Sequence, residues 1–313
     1  MKKKFFLSDH QGKGRMYAEA LESAGYERMI SAGTQGLKFA FYDHDVGPGG
    51  MGHRNGLDYL YHAGVPVFLY PHAARPMLQW DGMYNVWPHT VCNFVIAEGH
   101  AEVMESYGYP IPIEICGWNL CDLKDFEPIS PVKPIKVLFA PIHPNGNGWL
   151  HEMDMRLNVQ TYKLLLETPG IELTVRHIKR LDLNGLWPAD GVNFVLGKAN
   201  GCHAEIDEAD IVIAHQTFAY ISAARGKPLV MFGEQVTPHS GNRPENFRFV
   251  GSWPQYRDLM QYPVEFENAE SGLHLRSMMA EAMESDLGAD WRARFIGKVF
   301  DGPRFVEMVE GWL

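Results

Sequence analysis

No apolar run in this chain is long enough to cross a bilayer, and that absence sets the first bound. Near the start, Phe5-Phe6-Leu7 follows Met1-Lys2-Lys3-Lys4 in the manner of a signal peptide, but Ser8-Asp9-His10 ends the run. A signal needs about 7–15 apolar residues and a spanning helix about 20, so neither is expected. Cysteine is scarce too. Cys92, Cys116, Cys121 and Cys202 are the only four, and no two form a C-x-x-C pair. The spacing excludes a zinc knuckle and a thioredoxin-like motif, and it suits reduced thiols in a cytoplasmic protein. Basic residues are in deficit, 28 against 38 acidic ones, for a formal net charge of −10. That disfavours general binding to nucleic acid or to an anionic membrane, although a local strip with Lys13, Arg54 or Arg75 would suffice for a nucleic-acid substrate. Heptads, short-period repeats and low-complexity tracts are absent.

What is present is an ordinary globular composition, 46% apolar and 21% charged over 313 residues. Such a length buries a sizeable core and favours two domains. The first half repeats strand, polar loop, helix. Strands are expected at 4–7, 37–42, 65–70, 92–97 and 111–116, with helices at 16–24, 55–63 and 100–107. Pro128, Pro131 and Pro134 mark an extended linker. The rhythm then restarts, with strands at 135–140, 171–175, 192–196, 211–213 and 229–232 and helices at 156–167 and 218–225. A further strand is expected at 247–251. The tail from Asp286 reads as helical, with Trp291, Phe295, Val299, Phe305, Met308 and Trp312 as packing positions. Alternating βα units imply parallel sheets with right-handed crossovers. The expectation is an α/β protein of two Rossmann-like, doubly wound domains facing a cleft. Their bounds are 1–130 and 131–295, with a final helix over 296–313 packing back on the first.

The most informative stretch runs from Asp207 to Glu234. Ile211-Val212-Ile213 reads as a buried parallel strand, His215-Gln216-Thr217 as a polar break, and Phe218 to Arg225 as an Ala-rich helix capped by Gly226. In such a unit ligands sit at the carboxyl ends of strands and helix N-termini face anions. His215, Gln216, Thr217 and Glu234 would therefore line one crevice. Six of the 14 histidines follow expected strands directly: His10, His44, His72, His143, His177 and His215. The loop Ser8-Asp9-His10-Gln11-Gly12-Lys13-Gly14 is neither a G-x-G-x-x-G fingerprint nor a P-loop. Its Asp9 or His10 could deprotonate an acceptor hydroxyl, or simply cap a helix. Asp43-His44-Asp45 spells D-x-D, a pattern used to hold a divalent metal on a diphosphate, and Gly47 to Arg54 behind it reads as a binding loop. Glu205, Asp207, Glu208 and Asp210 read as a solvated acidic turn. Trp80, Trp87, Trp118, Trp149 and Trp187 fall in loops, either as a stacking platform or as packing.

These residues resemble the two-domain GT-B transferases, and within them the CDP-glycerol glycerophosphotransferase group. Val137-Leu138-Phe139-Ala140-Pro141 looks like the segment opening that group's donor domain. The stretch from Ala209 to Thr217 looks like its A-D-hydrophobic-D-Y-S-S segment, followed by a K-P strand, here Lys227-Pro228. Pro71-His72-Ala73 and Cys116-Gly117-Trp118 to Asp122 fall where the group has His-Gly and G-x-x-x-D. His215-Gln216-Thr217 departs from the group's acidic-aromatic-serine sequence, and His177 lacks the proline that usually follows. The resemblance implies metal-independent chemistry, so Asp43 and Asp45 stand only as weak metal candidates and no cofactor is expected beyond the donor itself.

Taken together, the expectation is transfer of a glycosyl group from a nucleotide-diphosphate donor to a hydroxyl acceptor. His143, Asn145, Asn147, His177, His215, Gln216, Thr217 and Glu234 would hold the donor. Asp9, His10 or His72 would act as base. Alternatives are a glycerophosphate or polyol-phosphate transferase with a CDP-linked donor, a nucleotide-sugar epimerase or hydrolase, a DNA-base glycosyltransferase, and a non-catalytic nucleotide-sugar-binding protein.

Overall fold

The computed structural model describes residues 3–8, 14–30, 36–43, 51–71, 89–106, 109–118, 122–130, 134–141, 149–177, 190–197, 203–214, 216–232, 261–262, 269–286 and 289–313. The chain divides into two compact units, Met1–Leu120 with Ala293–Leu313, and Cys121–Arg292.

The first unit runs β1 (Lys4–Leu7), α1 (Arg15–Ser23), β2 (Glu27–Met29), β3 (Leu37–Asp43), α2 (Met51–His62), β4 (Val67–Tyr70), β5 (Thr90–Val95), α3 (Glu98–Ser106) and β6 (Ile113–Ile115). Its six strands pair in the order β2-β1-β3-β4-β5-β6, all parallel. The second unit runs β7 (Ile135–Phe139), α4 (Trp149–Leu166), β8 (Ile171–His177), β9 (Asn193–Leu196), α5 (His203–Glu208), β10 (Ile211–Ala214), α6 (Gln216–Ala224), β11 (Leu229–Phe232), β12 (Gln261–Tyr262) and α7 (Ala269–Glu284). Its order is β12-β11-β10-β7-β8-β9, again all parallel. Two helices close the chain, α8 (Ala289–Phe295) and α9 (Gly302–Gly311). In both sheets the chain steps away to one side of its first strand and then returns to the other, the doubly wound pattern.

One face of the first sheet is packed with rings. Phe5, Tyr17, Phe39, Phe41, Phe68, Tyr70, Phe94 and Phe305 form one buried cluster. Phe41 lies 5.1 Å from Phe68 and 5.6 Å from Phe305, centroid to centroid. Phe305 arrives on α9, whose start is fixed by Asp301 accepting from the Arg304 N–H at 3.1 Å. An N-cap of this kind stabilises a helix by about 1 kcal/mol. The returning chain also pairs with the end of the sheet. The Trp118 N–H donates to the Lys298 carbonyl at 2.6 Å, and the Phe300 N–H to the Trp118 carbonyl at 2.8 Å. Gly117 makes this possible, because at φ 92° a Cβ would stand 2.7 Å from the Val299 carbonyl oxygen.

The second unit's core is aliphatic and methionine-rich. Val137, Phe139, Val175, Ile211, Ile213 and Val230 meet Tyr162 and Leu165 of α4 and Leu275, Met278, Met279 and Met283 of α7. Helix α6 ends as a Schellman motif. The Lys227 N–H reaches the Ser222 carbonyl and the Gly226 N–H the Ala223 carbonyl, with Gly226 at φ 66°.

Several expectations need correction. β2, β12 and α7 have no counterpart in the sequence reading. Met51 to Arg54, expected in a binding loop, belongs to α2. Trp149 opens α4 rather than lying in a loop. Trp118 is 1% exposed, so it is core and no stacking platform. Val299 and Trp312, expected to pack, are 66% and 38% exposed. The supposed acidic turn is largely α5, and three of its carboxylates are engaged: Glu205 with Arg176, Asp207 with Arg225 and Lys124, and Asp210 with the Lys136 N–H. The strand expected at 247–251 lies outside the described residues.

Candidate functional site

A parallel doubly wound sheet offers a ligand position where the chain's winding reverses, beyond the carboxyl ends of two adjacent strands whose connections leave in opposite directions. In the second unit those strands are β7 and β10. They are in register from Ile211 opposite Val137 to Ile213 opposite Phe139, and the Ala140 N–H donates to the Ile213 carbonyl at 2.9 Å. Beyond β7 the sequence continues into His143, Asn145 and Asn147. Beyond β10 it continues into His215, Gln216 and Thr217. The two polar segments thus leave neighbouring strands at one reversal point. Gln216 and Thr217 form the start of α6, nine residues long, rather than a break before it. Their own backbone N–H groups are therefore among the four a helix leaves unbonded at its N-terminus. His177 is the last residue of β8, beside β7, and is in register with Leu196. Side chains of His177, Gln216 and Thr217, and all of His143, Asn145, Asn147, His215 and Glu234, lie outside the described residues.

In the first unit the reversal falls between β1 and β3. The Ser8 N–H donates to the Phe41 carbonyl at 2.9 Å, and the Tyr70 hydroxyl to the Ser8 carbonyl at 2.7 Å. Asp9 and His10 follow Ser8 directly; His72 follows Pro71 at the end of β4. All three lie outside the described residues, as does Asp45. Asp43 ends β3, opposite Tyr70, and is fully buried. It is thus the last residue of the strand, one position beyond the expected bounds 37–42. Tyr17 lies 5.3 Å from Tyr70, ring to ring. Burial pushes the Tyr17 phenol well above its usual range, helped by Cys116. Burial likewise pushes the Cys116 thiol up to about 12. These are neutral groups that brace the edge, not nucleophiles. Among the described residues no group of three or more His, Cys, Asp or Glu could hold a metal.

The sequence reading missed one feature of the second unit. Arg176, next to last in β8, is 4% exposed. Its Nε lies 3.6 Å from Glu205 Oε1, and its guanidinium carbon 5.0 Å from the centre of the Phe218 ring on α6. Gly197, just past β9, leaves the room, since a Cβ there would strike the guanidinium. A buried charge is tolerated only when paired, and deleting one partner of such a pair costs about 3–5 kcal/mol. β8 alternates apolar and polar residues, Ile171-Glu172-Leu173-Thr174-Val175-Arg176-His177, so no local signal sets Arg176 apart. Below this cluster is a cavity of about 390 Å³ lined by Lys136, Thr174, Asn193, Val195, Glu205 and Glu208, away from the strand ends that carry the polar segments. No helix among the described residues is long and apolar enough to cross a membrane.

No family model matches the sequence, and no curated protein does either. Solved structures do match. The chain is similar to a putative UDP-N-acetylglucosamine 2-epimerase from Listeria monocytogenes, with a TM-score of 0.58 at 12% identity over 99% of this chain and 95% of that one. It is similar to the spinosyn rhamnosyltransferase SpnG complexed with thymidine diphosphate, at 0.57 and 10% over 99% and 100%. It is also similar to the glycosyltransferase SnogD from Streptomyces nogalater, at 0.55 and 12% over the full length of both. At such identity the likeness establishes the fold, the two-domain GT-B fold, over essentially the whole chain. It gives no support to the narrower CDP-glycerol group.

Proposed function

We propose that this GT-B-fold chain is a glycosyltransferase that moves a sugar from a nucleotide-diphosphate donor to a hydroxyl acceptor. One observation carries the reading. Across the full GT-B fold, each sheet reverses its winding at strand ends that run into polar residues: Asp9, His10 and His44 in the first, and His143, Asn145, Asn147, His215, Gln216 and Thr217 in the second, the last set being donors and acceptors that a phosphorylated sugar requires. In the second unit the first turn of α6 receives the donor diphosphate on its free N–H groups, aided by Gln216, Thr217 and His215. His143, Asn145 and Asn147 hydrogen-bond phosphate or sugar. Protonated His177 stabilises charge on the leaving diphosphate, and Glu234 accepts from a ribose or sugar hydroxyl. In the first unit Asp9, His10 or His72 takes the proton of the acceptor hydroxyl as it attacks the anomeric carbon. The negative charge of the leaving group is neutralised by helix and side-chain donors, so the proposed reaction needs no divalent metal.

A second reading, nucleotide-sugar epimerisation, is favoured by the similarity to the Listeria protein. The test is a thermal-shift panel of UDP, thymidine diphosphate, CDP, GDP and ADP, with Mg²⁺ or with EDTA. A ligand at about a hundred times its Kd raises apparent stability by about 2.7 kcal/mol. Stabilisation by one diphosphate, unchanged by EDTA, is the expected result. Response to none overturns the donor assignment, and a response only with Mg²⁺ overturns the metal-free mechanism. Isomerised sugar nucleotide formed without acceptor selects the epimerase. His72→Ala and His215→Ala should each cut turnover without unfolding the protein, and unchanged turnover removes that residue from the mechanism.

A further inference from the structure

Resting on that donor assignment, we propose that Arg176 is a positioning residue: the buried Arg176–Glu205 pair fixes the first turn of α6 in the geometry that receives an anionic ligand. Three observations converge on it. The guanidinium lies 5.0 Å from the Phe218 ring, and Phe218 directly follows Gln216 and Thr217 in that turn. A planar guanidinium stacks on a ring and restrains its orientation, which a lysine ammonium does not do. The pair also ties three elements together, with a fourth segment packed close against it. Arg176 belongs to β8, Glu205 to α5 and Phe218 to α6, while Gly197 after β9 is kept free of a side chain that would strike Arg176. Finally, the arrangement is not that of an ion pair serving cohesion alone. Glu205 Oε2 is buried and takes no hydrogen bond from any described residue, and Oε1 stands 3.6 Å from Nε, beyond good hydrogen-bond range. Apolar residues of similar volume often replace a buried ion pair without loss of stability, so packing alone does not account for the charges here. At 4% exposure Arg176 does not reach a ligand itself; it acts through Phe218 and the turn that Phe218 anchors.

The test separates position from stability and from the donor assignment. Three proteins are compared: the wild type, Arg176→Lys, and the double variant Arg176→Met with Glu205→Leu, which removes both charges of the pair. Amide exchange of residues 219–222, whose N–H groups close the first intrahelical hydrogen bonds of α6, is read in the ligand-free proteins, together with unfolding midpoints and the Kd for UDP and for thymidine diphosphate. The double variant is expected to keep the wild-type midpoint within a few degrees. Its amides at 219–222, bonded to the carbonyls of the first turn, should exchange at least about tenfold faster, while those of β10 are unchanged. Whichever diphosphate binds the wild type should bind the double variant about tenfold more weakly, with KM for the donor raised more than kcat is lowered. Arg176→Lys should show the same exchange change, and it serves alone should the double variant not fold. Wild-type exchange in that turn for the variants overturns the proposal. Faster exchange with undiminished diphosphate affinity also overturns it. If neither diphosphate binds the wild type, the donor assignment has failed, and the exchange data alone decide whether Arg176 holds the turn.

Discussion

Both sheets are parallel and doubly wound, with the winding reversing after two strands in the first and after three in the second, but they solve the packing problem with different chemistry. The first unit interlocks aromatic rings and closes them with the returning α9. The second fills the same kind of space with Val, Ile and three methionines of α7. Their buried polar groups differ in parallel. The first unit buries two thiols, Cys92 and Cys116, and the Tyr17 phenol, with Asp43 also buried at the end of β3. The second buries or half-buries charges in pairs, Arg176 with Glu205 and Arg225 with Asp207. Ring contacts are directional and methionine is adaptable, so the first unit should be the less tolerant of a change of shape. The unit to which donor binding is assigned has the more adaptable core and the paired charges.

The sharpest way to break that contrast is a matched pair of substitutions. Phe41 meets Phe39, Phe68, Phe94 and Phe305 at 5.1–5.9 Å, centroid to centroid. Phe41→Ala should cost about 3–5 kcal/mol, and Phe41→Leu should recover only part of that, because no aliphatic chain replaces four ring contacts. Met279→Leu should cost less than about 1.5 kcal/mol, since volume is kept and methionine imposes little shape. Urea midpoints decide it. Equal costs for the two leucine variants would remove the distinction between the cores.

A smaller effect is expected at Gly226. It closes α6 at φ 66°, and a Cβ there would drive into the Asp125 carbonyl of the extended segment 122–130. That segment is held by the Lys124 N–H on the Ala224 carbonyl at 2.9 Å. Gly226→Ala combines left-handed strain of about 1–2 kcal/mol with a backbone clash, for a total of about 3 kcal/mol. Gly311→Ala, inside α9 with open space around it, should be neutral or slightly stabilising. A thermal melt of each variant checks the contrast.

The β10–α6–β11 unit was legible because three independent signals agree there. The apolar run 211–213 is too short for a helix, the following residues are rich in Ala, and a glycine stands where the left-handed cap is needed. β2 was not legible, since Glu27-Arg28-Met29 has no apolar run and is half-exposed or exposed at the sheet's edge. α7 carries a readable signal, Leu275, Met278, Met279, Ala282 and Met283 at helical spacing, which the sequence reading does not include. Trp118 could not be placed from local sequence, because its burial depends on residues 298–300 returning from the far end of the chain. The candidate site divides in the same way. Polar residues after strands are visible as a pattern, and the strand order brings the ends of β7 and β10 together. The Arg176–Glu205 pair joins a strand to a helix across an intervening strand, and no local motif announces it.

The smallest effect, and the one that tests the contrast in buried polar groups, is opposite pH sensitivity. Hydrogen bonds from Arg225, with Lys124 adding to them against a desolvation cost, hold Asp207 down to about 2 from an ordinary 3.8. A depressed carboxylate contributes stability that is full above its unfolded value and is lost as pH falls from about 4 towards 2. The carboxylate is 35% exposed, so solvent screening limits this to about 1 kcal/mol. Cys116 and Tyr17 behave in the reverse sense. Burial raises both above their ordinary values of 9.0 and 10.0. Below about pH 9 the unfolded chain gains nothing from ionising them. Above it the unfolded thiol and phenol ionise while the folded ones do not, so stability is lost as pH rises towards 12. Urea midpoints of the wild type, Asp207→Asn, Cys116→Ala and Tyr17→Phe across the pH range read both limbs. The deficit of Asp207→Asn should be present near neutrality and shrink at about pH 2–3, where the wild type has lost the same interaction. The alkaline loss should be shallower in Cys116→Ala and Tyr17→Phe than in the wild type and unchanged in Asp207→Asn. A pH-independent deficit at Asp207, or an alkaline limb indifferent to Cys116 and Tyr17, would remove those groups as the source of the two limbs.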